Sequence, residues 1–230
     1  MADRLFPLPV GFCVVDKGEI LTPGLDVGRR VVIPVWCFLA EIGGKRILFD
    51  TGMNPIHVTD PGATFASTPY ANLIEPIMSK EDHIQGRLAE IGLRCEDINY
   101  VVNSHLHFDH CGGNRFFPAA TIIVQRAEYE FALACEEYPH RDFRDPNLRY
   151  RLIEGDLQLI SGVTLLATPG HSPGHQSALV RLPGGEPVVL TFDAVSIPEQ
   201  LEDQAPAAMW DEKLGRASRR RLRTLVKEES

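Results

Sequence analysis

Apolar and polar residues alternate through the first fifth of the chain, and turn-forming residues separate the alternating stretches. This two-residue period is typical of strands that bury one face. It predicts one hairpin that joins residues 11–15 to residues 19–21, and a second that joins residues 31–40 to residues 46–49. The predicted turns are Asp16-Lys17-Gly18 and Ile42-Gly43-Gly44-Lys45.

Residues 50–79 carry four prolines and no regular period, so they predict a long loop. Long loops inside compact domains are usually functional. A helix is predicted after this loop, because Ile84, Leu88 and Ile91 share one helical face and Gly92 follows them. Ser79 is the expected helix cap.

The remaining apolar runs predict seven strands and two helices. The first helix covers residues 127–135, and the second covers residues 211–227 with arginines around an apolar stripe. The predicted strands are residues 98–102, 121–124, 150–153, 157–160, 163–167, 177–182 and 187–192. No repeat or linker interrupts the pattern, so we expect residues 1–230 to form one domain.

The composition is that of an acidic globular protein. The chain has 230 residues, a formal net charge of −8 and 44% hydrophobic residues, which excludes disordered and fibrous classes. The acidic balance argues against nucleic-acid binding, and the arginines of residues 216–223 are interpreted as a solvated helix face. No pattern in the chain indicates an oligomeric state.

Five scattered cysteines form no C-x-x-C pair, so neither a disulfide framework nor a cysteine zinc cage is indicated. The first residues lack the basic and apolar regions of a secretion signal, and no apolar run is long enough to span a membrane. We therefore expect a cytoplasmic protein that does not enter membranes.

One cluster of ionisable residues carries the chemistry: His105-Leu106-His107-Phe108-Asp109-His110. Alternate residues of an extended segment point the same way, so His105 and His107 can face one metal ion. The turn after Phe108 directs Asp109 and His110 toward a second ion. Imidazole and carboxylate ligands together favour zinc or a similar divalent ion over calcium or magnesium.

Three further residues at predicted strand ends are candidate site residues. His171 stands in T-P-G-H-S-P-G-H (168–175), and Asp193 follows residues 187–192. Asp50 ends the strand of residues 46–49, where its carboxylate can orient a ligand histidine.

These motifs resemble those of the metallo-β-lactamase-fold hydrolases, over residues from about 10 to about 229. Within that superfamily, the sequence motifs resemble those of the N-acyl-homoserine lactonases, the quorum-quenching branch. The segments that carry the resemblance are F-D-T-G-M-N-P (49–55), V-V-N-S-H-L-H-F-D-H-C-G-G-N (101–114), T-P-G-H-S-P-G-H-Q-S (168–177) and F-D-A (192–194).

The resemblance implies an α+β fold, a four-layer αββα sandwich with two divalent metal ions at one end of its sheets. His105, His107 and His171 would hold the first ion. Asp109 and His110 would hold the second, and Asp193 would bridge the two. The family takes one more histidine from a strand after the last helix. The sequence ends at Ser230, so we expect that strand to be missing and the second site to be one ligand short and weak.

The resemblance also implies a metallo-hydrolase that acts on carboxylic esters and opens the lactone ring of N-acyl-homoserine lactones. A hydroxide shared by two zinc ions would attack the carbonyl carbon, and Asp109 would give a proton to the departing ring oxygen. Ser196 stands where these lactonases usually have a tyrosine that contacts the lactone carbonyl. Phe65 and Tyr70, in the long loop, are the predicted wall for the acyl chain.

Two other functions remain open from the sequence. The same metal centre can act on another lactone or on a thioester. Alternatively, a member with an impaired second site can serve as a binding or structural protein. Metal content measured together with lactone hydrolysis separates these readings.

Overall fold

The computed structural model describes residues 3–229, which form eleven strands and six helices. The strands are β1 Arg4–Asp16, β2 Arg30–Ile42, β3 Lys45–Phe49, β4 Ile74–Ile77, β5 Tyr100–Val102, β6 Thr121–Gln125, β7 Arg149–Ile153, β8 Leu157–Ile160, β9 Val163–Ala167, β10 Gln176–Val180 and β11 Val188–Leu190. The helices are α1 Ile84–Glu90, α2 Phe108–Cys111, α3 Arg126–Ala134, α4 His140–Phe143, α5 Pro198–Leu201 and α6 Glu212–Glu229.

The strands form two sheets of unequal size. Seven strands follow the order β4-β1-β2-β3-β5-β6-β7, and four follow the order β11-β10-β9-β8. In the larger sheet, β3, β5, β6 and β7 are parallel and the other pairs are antiparallel. The predicted hairpin of β2 and β3 is confirmed, with Ile42 opposite Lys45.

The two sheets pack face to face, and helices cover both outer faces. Phe49 and Val102 of the larger sheet pack with Leu165 and Val180 of the smaller sheet in one buried cluster. Outside the larger sheet, α1 buries Ile84 and Leu88. Outside the smaller sheet, α6 buries Leu222. This is the four-layer αββα sandwich that the family resemblance implies.

Strand direction brings four chain segments to one edge of the sandwich. Because β3 and β5 are parallel, their carboxyl ends meet at the same edge of the larger sheet. Both β9 and β11 pair antiparallel with β10, so they run the same way and also end together. Side chains just beyond such strand ends are well placed to build a site.

The first predicted hairpin is wrong. Residues Lys17–Leu21 form a single helical turn instead of a strand. Asp16 stabilises this turn, because its carboxylate accepts hydrogen bonds from the backbone N–H groups of Gly18, Glu19 and Gly28. Such side-chain bonds compete with strand pairing.

The long loop contains one strand that its prolines concealed. Residues Ile74–Ile77 pair with β1, and Pro76 lies opposite Cys13 in an edge strand, where proline is tolerated. The helix after this strand begins at Ile84, later than the predicted start at Ser79. Ser79 instead lies in a separate turn, where its backbone N–H donates to the Asp82 carboxylate at 2.7 Å.

One arginine of α6 departs from the predicted solvated face. Arg219 is fully buried, with its guanidinium 3.4 Å from Glu212 and 3.8 Å from Asp203. Within residues 3–229, no helix combines the length and the apolar content needed to cross a membrane.

The contact between α6 and the smaller sheet gives a stability prediction. Replacing Leu222 with Ala empties a site lined by Leu166, Leu179 and Ala194, which should lower the free energy of unfolding by about 3 kcal/mol. Leu214→Ala, at an exposed position of the same helix, should cost less than about 1 kcal/mol. Urea unfolding measures both, and equal losses would contradict this packing.

Candidate metal centre

Three imidazoles from two loops converge at the common edge of the sheets. His105 and His107 lie in the segment that follows β5, and His171 lies in the loop that follows β9. The Nδ1 atom of His107 lies 2.9 Å from His105 Nε2 and 3.0 Å from His171 Nε2. All three ligand atoms lie within 4.8 Å of one another.

The far nitrogen of two of these rings is held by a neighbour. His105 Nδ1 lies 3.0 Å from Ser104 Oγ, and His171 Nδ1 lies 3.2 Å from the backbone carbonyl oxygen of Ala208. A carbonyl oxygen can accept a hydrogen bond but cannot donate one, so the Nδ1 atom of His171 carries the hydrogen and donates it. The Nε2 atom of His171 therefore faces the other imidazoles.

Asp193 faces both halves of the site. It lies in the helical turn Phe192–Ala194 after β11, where Phe192 adopts a positive φ of 46°. Its Oδ2 atom lies 3.4 Å from His171 Nε2 and 4.0 Å from His105 Nε2, whereas its Oδ1 atom lies 3.6 Å from His110 Nε2. One carboxylate oxygen thus points to each half, which is the arrangement a bridging ligand needs.

His110 lies among three carboxylates. Its Nε2 atom is 3.4 Å from Asp109 Oδ2, and its Nδ1 atom is 2.8 Å from Asp50 Oδ2. The Ser104 backbone N–H and hydroxyl both donate to the Asp50 carboxylate at 2.7 Å. Asp50 therefore orients the His110 ring so that Nε2 faces Asp109 and Asp193.

The electrostatics of the site separate its two halves. Burial, together with the other imidazoles, lowers the pKa of His105 well below its usual value and that of His107 to about 3. Burial also opposes protonation of His110, but Asp109, Asp193 and Asp50 outweigh it and raise the pKa of that imidazole. Although burial works against it, the charge of His110 lowers the pKa of Asp193. His105 and His107 therefore offer neutral nitrogen donors, whereas the surroundings of His110 favour positive charge.

This donor set fits divalent metal ions. Two groups have convergent ligand atoms, one formed by His105, His107 and His171, the other by His105, His110 and Asp193. Nitrogen donors at 2.0–2.1 Å from a tetrahedral ion are roughly 3.3 Å apart, close to the observed spacing of 2.9 and 3.0 Å. Neutral imidazoles with carboxylates suit first-row divalent ions.

The two loops are also joined away from the ligand atoms. The Gln176 backbone N–H donates to the Ser104 carbonyl at 2.8 Å. On the other side, the Ser218 hydroxyl of α6 donates to the Pro169 carbonyl at 2.7 Å. Gly170 packs so closely on α6 that a Cβ atom there would lie 2.3 Å from Gly215 Cα. Local sequence patterns carry no signal for these long-range contacts.

The predicted acyl wall lies beside the cluster. Phe65 is buried, and its ring packs edge-on against Phe108, between His107 and Asp109, with centroids 4.6 Å apart. Tyr70 is half-buried, with its ring 6.3 Å from that of Phe65. The structure thus brings the long loop to the helix that carries Asp109 and His110.

Two other residues from the sequence motifs lie apart from the ligand atoms. Ser196 is exposed, and its backbone N–H donates to Gln200 at 2.8 Å. Within residues 3–229, its hydroxyl makes no hydrogen bond to the cluster. His175 is buried behind His105, with the ring centroids 5.4 Å apart, and its Nδ1 atom contacts Thr168.

A buried carboxyl group supports the segment that leaves the site. Asn54 caps the helical turn Pro55–Val58 and donates its side-chain N–H to Asp142 of α4. Asp142 is almost fully buried, and burial raises the pKa of its carboxyl from 3.8 to about 6, although Asn54 opposes this shift.

Relatives of known activity match almost the whole chain. A model of the metallo-beta-lactamase superfamily matches residues 30–228. The N-acyl homoserine lactonase AiiA of Bacillus thuringiensis subsp. kurstaki is 42% identical over 226 residues, 98% of this chain and 89% of that protein. The N-acyl homoserine lactonase AttM of Rhizobium radiobacter is 37% identical over 190 residues, 77% of this chain and 71% of that protein.

Solved structures give the same answer. An N-acyl homoserine lactone hydrolase with the product N-hexanoyl-L-homoserine at its catalytic metal center has a TM-score of 0.93 and 42% identity. The match covers 100% of this chain and 91% of that one. The dizinc quorum-quenching lactonase AidC has a TM-score of 0.69 and 19% identity, covering 98% of this chain and 84% of that one, which shows a shared fold. The relatives and the structure that are at least 37% identical to this chain are all N-acyl homoserine lactone hydrolases.

The Asp142 carboxyl gives a pH prediction. An unfolded chain releases this proton near pH 3.8 and the folded chain near pH 6, so wild-type stability falls as pH rises through that window. Asp142→Asn removes the titration and keeps an acceptor for Asn54. Relative to wild type, its free energy of unfolding should rise by about 2 kcal/mol between pH 4 and pH 7.

Urea unfolding at both pH values measures this difference. Asp60→Asn, at an exposed carboxyl of the long loop, is the control and should track wild type. A difference between Asp142→Asn and wild type that does not change with pH would contradict the raised pKa.

Proposed function

The chain belongs to the metallo-β-lactamase superfamily and, within it, to the family of the N-acyl homoserine lactonases, and from this premise we propose that it is a metal-dependent hydrolase that opens the lactone ring of N-acyl homoserine lactones. The observation that carries the proposal is the meeting of His105 and His107 with His171 and Asp193 at one sheet edge. A site with this donor set and a known lactonase fold supports ester hydrolysis.

The proposed centre holds two divalent ions, with zinc as the metal. His105, His107 and His171 would hold one ion, and Asp109 with His110 would hold the other. Asp193 would contact both through its two oxygens. When bound, such ions supply Lewis acidity, which polarises a carbonyl oxygen and lowers the pKa of water.

Asp109 is the proposed proton carrier. Its carboxylate lies 3.4 Å from His110 Nε2 and is partly open to solvent, so it can reach both water and substrate. As the water oxygen bonds to the carbonyl carbon, Asp109 takes a proton from it. When the bond from that carbon to the ring oxygen breaks, Asp109 returns the proton to the ring oxygen. The second proton of the water stays on the new carboxyl group, which releases it to solvent, so the product is an N-acyl homoserine with a free carboxylate and a hydroxyl group.

The remaining residues of the proposal bind the substrate. Phe65 and Tyr70 would contact the acyl chain, because their rings continue the apolar surface that begins at Phe108. Ser196 is proposed to face the lactone carbonyl at the position where related lactonases usually have tyrosine. Its short side chain would give weaker stabilisation of the developing negative charge.

We further propose that residues 1–230 act as one domain in the cytoplasm, with a small-molecule lactone as the partner and without nucleic acid. The acidic composition and the scattered thiols support this setting.

Hydrolysis tests the proposed function directly. At neutral pH, ring opening releases one proton per lactone, so a pH-stat should record base uptake with N-hexanoyl homoserine lactone. Chelator treatment should abolish turnover, and added zinc should restore it. His107→Ala should lower kcat/KM at least about a hundredfold, because it removes a donor. His140→Ala, whose ring contacts the Ala132 carbonyl, should retain activity.

Zinc binding without turnover would assign the centre to a different lactone or a thioester. Failure to bind zinc, with no turnover, would identify the chain as a binding or structural protein. Full activity of His107→Ala would contradict the metal mechanism.

The acyl wall gives a specificity prediction. Phe65→Ala and Tyr70→Ala should each raise KM several-fold for N-decanoyl homoserine lactone and change it little for N-butanoyl homoserine lactone, because they remove apolar contact area. Phe12→Ala, at an exposed aromatic of β1, is the control. An unchanged chain-length preference in both variants would remove these residues from the substrate site.

A further inference from the structure

We propose that Glu128 is a positioning residue that ties the two ligand-bearing loops together and so sets the spacing of the metal-binding imidazoles. It lies in the first turn of α3, has no exposed surface, and does not touch a candidate ligand atom. The sequence motifs give no sign of it. The inference rests on the proposed metal centre, but not on the identity of the substrate.

One carboxylate oxygen of Glu128 holds the first loop. Its Oε1 atom accepts the backbone N–H of Leu106, between His105 and His107, at 3.0 Å. The same oxygen accepts the Tyr138 hydroxyl at 3.3 Å. The Tyr138 ring lies against His107, with centroids 5.1 Å apart. Glu128 thus holds the backbone between the candidate ligands His105 and His107. It also holds the Tyr138 ring that packs on His107.

The other oxygen holds the second loop. Its Oε2 atom accepts the Ser172 hydroxyl at 2.6 Å and the Gly174 backbone N–H at 3.0 Å. Ser172 directly follows His171. The approach is close, because a Cβ atom on Gly174 would lie 2.2 Å from the Glu128 backbone nitrogen. The two oxygens of one side chain therefore join loops that are 65 residues apart, counting from Leu106 to His171.

The chemistry of these contacts calls for a carboxylate. All four partners of Glu128 are donors, and an ionised carboxylate is the side chain that only accepts. Within residues 3–229, no lysine or arginine forms an ion pair with it. The four hydrogen bonds compensate the cost of burying its charge. A glutamine of the same shape would turn an N–H₂ group toward two donors and so break one of the two links.

The consequence for the site is a loss of preorganisation. His107 Nδ1 and His171 Nε2 lie 3.0 Å apart although they belong to different loops. Without the link, the two donors have to be brought together when the ion binds, which costs free energy of binding. Replacing groups that orient metal ligands typically weakens metal binding 10–100-fold.

The decisive experiment measures zinc affinity by chelator competition on the full chain. Glu128→Gln should raise the zinc dissociation constant by about 10–100-fold, and lower kcat for N-hexanoyl homoserine lactone at saturating zinc while KM changes less than twofold. Glu130→Gln, at an exposed carboxylate of the same helix with an ion pair to Arg126, is the matched control and should leave both unchanged.

A metal-free readout separates positioning from catalysis. In the chelator-treated protein, Glu128→Gln should speed hydrogen exchange at the backbone N–H of Leu106 or Gly174, where one acceptor is lost. Glu130→Gln should not. Unchanged exchange at both amides together with a wild-type zinc dissociation constant would overturn the proposal.

Single-hydroxyl variants keep the proposal testable if Glu128→Gln fails to fold. Ser172→Ala and Tyr138→Phe each remove one donor to Glu128 and leave the carboxylate in place. Each should raise the zinc dissociation constant about threefold, in line with the worth of one hydrogen bond. When each of these changes is combined with Glu128→Gln, at least one of the two double variants should show little further rise in the zinc dissociation constant. Glu128→Gln has already broken the hydrogen bond that this change removes. Wild-type zinc affinity in both single variants would overturn the proposal.

The outcome is distinguishable from that of the proposed function. Zinc binding by the wild-type chain without lactone hydrolysis contradicts the proposed substrate, whereas the comparison of zinc dissociation constants still decides the role of Glu128. Hydrolysis with equal zinc affinity in wild type and Glu128→Gln overturns the positioning role alone.

Discussion

The face-to-face packing of two sheets is the constraint on which the site depends. Each sheet ends in loops that carry only part of the donor set, His105, His107 and His110 from the larger and His171 and Asp193 from the smaller. The buried layer between the sheets fixes these loops at one edge, and the Gln176 N–H bond to the Ser104 carbonyl joins them directly. The site is therefore a property of the interface between the sheets. Neither sheet builds it alone.

Buried polar groups at this edge hold the candidate ligands in place. Asp50 orients His110 from behind, the Ala208 carbonyl orients His171, and Glu128 links the backbones of both loops. Each contact satisfies a polar group that would be costly to bury alone. The result is a set of imidazole nitrogens that face one another next to carboxylates, an arrangement that suits the binding of cations and the hydrolysis of esters.

Much of the fold and of the candidate ligand set is predictable from local sequence. The H-x-H-x-D-H spacing, the T-P-G-H loop and the aspartates at strand ends mark residues that the structure brings together, because strand direction carries them to one edge of each sheet and the packing of the sheets joins the two edges. The contacts that support the ligands could not be predicted in this way. Glu128, Ser104 and the Ala208 carbonyl act across long stretches of chain and show no period or motif. The helical turn after Asp16 and the buried Arg219 also depart from the local pattern, because side-chain hydrogen bonds and tertiary packing override it.

The central claim is that His107 and His171, from different loops, bind the same ion. Cobalt(II) titration of the chelator-treated protein tests it most directly, since the visible absorption of this ion reports its ligands. The account predicts that the wild-type chain develops a ligand-field band with the first ion bound, and that His107→Ala and His171→Ala each abolish this same band. A band that persists unchanged in either variant would contradict a shared ion.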